Sequence, residues 1–253
     1  MQVLTWNLDG LGTGRIDERT EAAVFLAVTG RTLRQIGKGM KPTTHGPDVL
    51  LLQEVTDHTY RVHLRVHLPR AGYEMHIARP PEREPFEVVA VRKPARIVHS
   101  STTRLASSLL GRELHVVDVD DVPGMDGRVR VLTAHFDNGP HEGEVRVDQL
   151  MQVAGAMDER SVFGGDANLR DVEWQQVAGR VDMSDAWLDL GAPAATSTTW
   201  RLGERTARFD RVFVGAGLQA VSMKAVGAAK LSPTIGPPSD HIGLRVELVP
   251  AAP

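Results

Sequence analysis

The stretch 163-FGGDANLRD-171 governs how this chain is read. An apolar approach runs into two glycines, and Asp166, Asn168 and Arg170 then follow at alternate positions. If the segment stays extended, alternate side chains share one face. An acid, an amide and a guanidinium would then aim at one spot. That combination suits a phosphate and the group that attacks it.

On either side of it, similar apolar runs recur along the chain. Enrichment in Val and Leu between Gly, Pro, Asp and Asn predicts strands over 2–8, 48–55, 87–93, 113–120, 129–136, 161–166, 210–215 and 243–249. Helical spacing of apolar residues predicts a helix over 17–37, with early acids and Gly37 as its stop. A second is predicted over 142–159, with Val145, Leu150, Val153 and Met157 as an apolar stripe. Segments 38–47 and 192–209 read as long loops. Dominant strands with a few covering helices imply packed sheets with helices outside. Without a repeat or linker, residues 1–253 are expected to form a single domain.

Several strand ends finish in polar residues that a structural role does not require. They are Asn7 and Asp9 in 5-TWNLDG-10, Glu54 in 51-LLQEV-55 and His135 in 133-TAHFDN-138. Asp166 and Asn168, and Asp240 with His241 in 239-SDHIGL-244, complete the set. Singly, Asn and Asp suit turns after strands, and a histidine there is ordinarily a satisfied core residue. Glu54 resists that reading. The run 48-DVLLLQE-54 is apolar to its end, and a carboxylate there needs a partner or a metal.

The bulk numbers set bounds. At 253 residues, 42% hydrophobic and 24% charged, the composition is that of a soluble globular protein. It has no apolar run near the ~18 residues of a membrane span, so no membrane association is expected. The start, MQVLTWNLDG, lacks a basic stretch followed by an apolar one, so no signal peptide is expected. The lack of cysteine excludes disulfides, thiolate catalysis and Cys-ligated metals, and suits a cytoplasmic location. A net charge of −3 argues against an extensive grip on duplex nucleic acid. Only five of the 29 basic residues are lysine; phosphate recognition and codon bias both produce such a preference for arginine.

The ordered set WNxDG, DVLLLQE, TAHF, GGDANLRD, RFDR and SDH resembles the metal-dependent endonuclease/exonuclease/phosphatase superfamily, over residues 3 to about 249. TWNLDGL, QEV, GGDANLRD, RFDRVF and SDHIGL look most like its 5′-tyrosyl-DNA phosphodiesterase branch. The resemblance implies an α/β, DNase I-like four-layer sandwich: two central, mostly antiparallel β-sheets flanked by α-helices, with the site where strand ends meet. It also implies a Mg²⁺- or Mn²⁺-dependent phosphoester hydrolase, a nuclease or phosphodiesterase of DNA repair. The substrate would be a nucleic-acid end such as a 5′-tyrosyl adduct, or alternatively a small phosphorylated metabolite.

Carried over position by position, Glu54 is the expected metal ligand. Asn7 and Asp240 hold metal-bound water or lie just outside, with Asp9 near the same pocket. Asp166 becomes the base that deprotonates water, with Asn168 holding that water or the phosphoryl group. His241 donates to the phosphate and Asp210 fixes its tautomer. His135 is a second active-site histidine, with Glu87 as a candidate partner. Arg170 and Arg146 are expected to contact phosphate, and Trp200 a base. The chain departs from the branch at Ala167, where threonine is usual, and in the length of its Val28–Gly46 segment. Its aromatic content of only 5% is low for a single-strand binder.

Overall fold

The computed structural model describes residues 1–12, 14–31, 46–80, 83–232 and 234–252. Its strands form two six-stranded sheets and one hairpin. The first sheet runs β13 (Leu218–Val226), β14 (Gly243–Pro250), β1 (Gln2–Asn7), β2 (Val49–Val55), β4 (Phe86–Arg92), β3 (Tyr73–Ile77). The second runs β5 (Arg96–Arg104), β6 (Glu113–Asp120), β7 (Val129–Thr133), β8 (Ser161–Asp166), β12 (Asp210–Gly215), β9 (Met183–Asp185). Each sheet has one parallel pair, β1–β2 and β7–β8, among antiparallel neighbours.

Strand alternation builds the layers. Val3 and Leu51 face inward, toward Val131, Val162 and Val212 of the other sheet. Leu4, Leu50 and Leu52 face outward, onto Ala23, Val24 and Ala27 of helix α1 (Ile16–Thr29). On the far side, Leu132, Phe163 and Phe213 meet Leu150 and Val153 of α2 (Gly143–Ala156) and Trp174 of α3 (Asp171–Gln175). Helix, sheet, sheet, helix: the four-layer sandwich is in place. Strands covered on both faces read as continuous apolar runs, and each buried Leu or Val contributes roughly 1.5–3 kcal/mol.

Helix α1 ends earlier than the apolar spacing predicts. Gly30, at φ 67, donates its N–H to the Leu26 carbonyl and closes the helix. Gly37 and residues 38–45 of the expected loop lie outside the described residues. The 192–209 segment is not wholly loop, because it contains a hairpin of β10 (Trp200–Leu202) and β11 (Arg205–Ala207). Among the described residues, no helix is long and apolar enough to cross a membrane.

The topology brings the polar strand ends together. Strands β1, β2, β7 and β8 end at the same edge at which antiparallel β12 and β14 begin. Asp210 pairs across the ladder with Asp166, and His135 bridges to Asp166 from the β7 side. His241, just before β14, bridges to Trp200 of β10. The two glycines before Asp166 permit this closeness. A Cβ on Gly165 would lie 2.3 Å from the Ala134 carbonyl oxygen, and one on Gly164 would lie 2.8 Å from Leu51.

Candidate active site

Asp166 is the hub. It is buried, and its Oδ2 accepts a 3.0 Å hydrogen bond from the Asn7 amide. The same oxygen lies 3.3 Å from His135 Nε2 and 3.5 Å from His241 Nε2. Its other oxygen accepts from the Asn168 backbone N–H at 3.1 Å. Burial alone would raise its pKa, but His241 and His135 outweigh that and hold the carboxyl below its usual range.

The two histidines beside it carry different charge. Burial pushes His135 down to about 3, so it is neutral. Burial works against the charge on His241 too, yet Asp210 and Asp166 on its two sides push it up to about 10. The Asp210 carboxylate sits 2.8 Å from His241 Nδ1, leaving Nε2 to face the cleft. Asp166, Asp210 and His241 are close enough together to suggest a metal site. Here, however, the imidazole lies between two carboxylates, Asp210 at Nδ1 and Asp166 3.5 Å from Nε2, an arrangement that favours its protonated form over metal ligation.

Across the cleft stands a wall of acids. Burial pushes the Glu54 carboxyl up, and the charges of Asp166 and Asp9 push it further. Burial and Asp240 act the same way on Asp9, against the pull of Arg19. Acids that raise one another's pKa mark a place where negative charge is crowded. Carboxylates and the Asn7 amide oxygen form an oxygen-rich donor set, which suits a hard divalent cation. His135 Nδ1, buried without a hydrogen-bond partner and 3.7 Å from Glu54, adds an unmet polar atom to the same region. The residues present therefore fit such an ion. Glu54 is also held at φ 52, a left-handed backbone that a glutamate rarely adopts, at a cost of ~1–3 kcal/mol. Strain of this kind concentrates where a side chain must be aimed.

Asp9, Glu54, His135, Asp166, Asn168 and His241 line one cleft of about 610 Å³. Arg170, Trp200 and Asp240 also line it. Asn7 and Asp210 sit fully buried behind it, touching Asp166 and His241. Arg19 ion-pairs with Asp9, and Trp200 donates to the Asp240 carboxylate at 2.9 Å.

Three expectations need correction. Asp166, Asn168 and Arg170 do not alternate along a strand: β8 stops at Asp166, and Asn168 turns at φ 47. They reach one cleft through a turn instead. Arg146 does not reach the cleft at all. It is fully buried, clasping Glu173 at 2.6 and 3.0 Å and the Gly139 carbonyl at 2.8 Å. Glu173 also accepts from Arg170 at 3.2 Å, so Arg146 secures the acid that steers Arg170. Glu87 faces Arg79 and Arg112, and burial pushes it up to about 7. The groups within reach of His135 are Asp166, Glu54 and Arg112.

Sequence reasoning missed Arg205, Asn138 and Phe209, which also line the cleft. Asn138, three residues past His135 on the same loop, was within reach of the strand-end signal. Ser239 was another. Its hydroxyl donates to the Asn7 carbonyl at 2.8 Å and accepts from the His241 N–H at 2.9 Å, tying β1 to the SDH segment. Ala167, where the related branch has threonine, is packed into the outer apolar cluster.

Residues 4–241 match the Endonuclease/Exonuclease/phosphatase family, and the chain belongs to it. Among relatives, tyrosyl-DNA phosphodiesterase 2 of Gallus gallus is 29% identical over 265 residues, covering 96% of this chain and 65% of that protein. The Homo sapiens protein of the same name is 28% identical over 269 residues, covering 97% of this chain and 67% of that one. The chain thus spans just under two thirds of the length of the Gallus gallus relative. In fold it is similar to D. rerio TDP2 complexed with a single-strand DNA product (TM-score 0.80, 22% identity, 98% of each chain). It is also similar to an endonuclease/exonuclease/phosphatase from Bacteroides vulgatus (TM-score 0.74, 17% identity, 99% and 98% of the two chains).

Proposed function

We propose that the chain is a divalent-metal-dependent phosphodiesterase that hydrolyses a phosphoester at a nucleic-acid end, in particular a 5′-tyrosyl-DNA adduct. Residues 1–253 would act as a single catalytic domain. The observation that carries this reading is the placement of Asp166: buried, held by the Asn7 amide and within 3.3 and 3.5 Å of His135 and His241 in an acid-lined cleft. Relatives named for tyrosyl-DNA phosphodiester chemistry support the choice of substrate.

Glu54 would hold the cation, Mg²⁺ or Mn²⁺, with Asp240 and Asp9 nearby and Asn7 behind them; when bound, the ion polarises a phosphoryl oxygen and steadies charge on the leaving group. Asp166 orients a water against the phosphorus and accepts its proton. The Asn7 amide and the Asn168 backbone fix the carboxylate in place. His241, kept charged by Asp210, donates from Nε2 to a non-bridging oxygen as negative charge gathers there. The bond from phosphorus to the tyrosine oxygen breaks and leaves a 5′-phosphate on the DNA. Neutral His135 packs its Nε2 3.3 Å from Asp166 without adding a second positive charge. Arg170, half-exposed at the rim, takes a backbone phosphate. Trp200, packed on Phe209 at 5.3 Å, offers a base a flat surface.

A substrate panel tests this. Hydrolysis of a 5′-tyrosyl oligonucleotide, abasic duplex, single-stranded DNA and p-nitrophenyl phosphate is measured with Mg²⁺, Mn²⁺ or chelator. The tyrosyl oligonucleotide should be the fastest substrate, and chelator should stop its turnover. Preference for the small phosphomonoester would return the reading to a metabolite phosphatase, and turnover in chelator would end it.

A further inference from the structure

Away from the cleft, three metal-binding side chains meet where α1 packs against the segment after β2. Asp17 Oδ1 lies 2.6 Å from His58 Nε2 and 3.0 Å from His63 Nε2. The imidazole rings stand 6.1 Å apart at 77°, and the three ligand atoms fall within 4.8 Å of one another. An unusual backbone produces this convergence. Thr59–Leu64 form a π-helical turn, in which the Arg65 N–H bonds to the Tyr60 carbonyl five residues back. On an α-helix, residues three or four apart are the ones that meet. The wider turn lets His58 and His63, five apart, meet instead. Such turns are rare and are found frequently at functional sites.

The surroundings differ among the three ligands. The His63 ring is nearly buried, at 8% exposed, while His58 and Asp17 are open to solvent at 54% and 61%. One ligand is therefore anchored in the fold, two can adjust, and the open side leaves room for water.

We propose that Asp17, His58 and His63 form a site for a transition-metal ion of the zinc type, distinct from the hard-cation cleft. Two imidazole nitrogens, one carboxylate oxygen and an open fourth position make a three-ligand zinc set. Imidazole favours zinc, copper and nickel over magnesium, so the two sites would sort metals by donor type. Tetrahedral bonds of about 2.0–2.2 Å put neighbouring ligand atoms roughly 3.3 Å apart. Loading therefore requires the Asp17 oxygen to move out from 2.6 Å to about 3.3 Å from His58, an adjustment that falls to the two exposed side chains. A metal here would clip α1 to the segment following Glu54. Arg19 of α1, which grips Asp9 in the cleft wall, would be steadied with it.

The test uses the full chain, stripped of metal and then kept in excess Mg²⁺ to occupy the cleft. Zn²⁺ binding is followed by calorimetry, and Co²⁺ binding by its visible absorption. The wild type should bind one more Zn²⁺ equivalent than His58→Ala, or bind it at least about tenfold more tightly, and should show a Co²⁺ band that His58→Ala lacks. His63→Ala alters a nearly buried position, so the exposed substitutions His58→Ala and Asp17→Asn decide the outcome. Both should unfold at the wild-type temperature without zinc, and neither should gain the rise that zinc gives the wild type. Identical stoichiometry and affinity in wild type and His58→Ala would place the zinc elsewhere and overturn the site, as would a wild type that binds none.

Discussion

The first sheet delivers Asn7, Glu54 and Asp240 to the shared edge, and the second delivers His135, Asp166, Asn168 and Asp210. Both groups are carboxylate-rich, yet their electrostatics run in opposite directions. Glu54 and Asp9 are pushed up by burial and by neighbouring negative charge. Asp166, no less buried, is held down chiefly by the charged His241 imidazole. Acids crowded by burial and by one another suit a divalent cation; an acid flanked by a charged imidazole is kept ionised, with its oxygens open as acceptors. His241 joins the halves, for it enters from the first sheet but pairs with Asp210 of the second. Neighbours, more than burial, divide the labour among the cleft's acids.

Breaking the second half should cost most. Asp166→Asn keeps the shape and removes the basicity, so turnover of a tyrosyl oligonucleotide should fall by about 10²–10⁴-fold. Asp210→Asn should let the His241 pKa drop from about 10 toward the usual 6.5. At about pH 8.5 that leaves roughly 100-fold less charged imidazole, whereas little changes near pH 6; pH–rate profiles of the two proteins show the difference. The same pair stabilises the fold. Because the folded pKa is raised, that contribution is complete below 6.5 and is lost as pH rises through about 10.

Breaking the first half should read out in the metal. Glu54→Gln is expected to weaken Mg²⁺ by about 10–100-fold, seen as a shifted half-saturation in the rate. The smallest effect belongs to the rim. Arg170→Ala should slow the tyrosyl oligonucleotide about tenfold, leaving p-nitrophenyl phosphate unchanged. Equal losses on both substrates would move Arg170 from gripping the strand to supporting the reaction itself.

The legible part of the fold has a physical boundary. The eight strands read from the sequence are the interior strands of the two sheets, and the four missed from them, β13, β3, β5 and β9, are the edges. Interior strands are covered on both faces and declare themselves as Val and Leu runs. An edge such as 96-RIVHSSTTR-104 is half exposed and polar, so it does not. The site was legible where polar residues ended interior strands, as at Glu54 and Asp166. It was illegible where a distant partner decides. Nothing local announces that Arg146 will be buried against Glu173, 27 residues on. The π-helical turn that joins His58 to His63 is equally silent in the sequence.

The division between the halves meets its sharpest test when Mg²⁺ is titrated into hydrolysis of a 5′-tyrosyl oligonucleotide by Asp166→Asn and Glu54→Gln side by side. A collapsed plateau with unchanged half-saturation is expected for Asp166→Asn. For Glu54→Gln the half-saturation should rise, with rate recovered as Mg²⁺ increases. Near-wild-type turnover in Asp166→Asn, or the same parameter shifting in both variants, would refute that division.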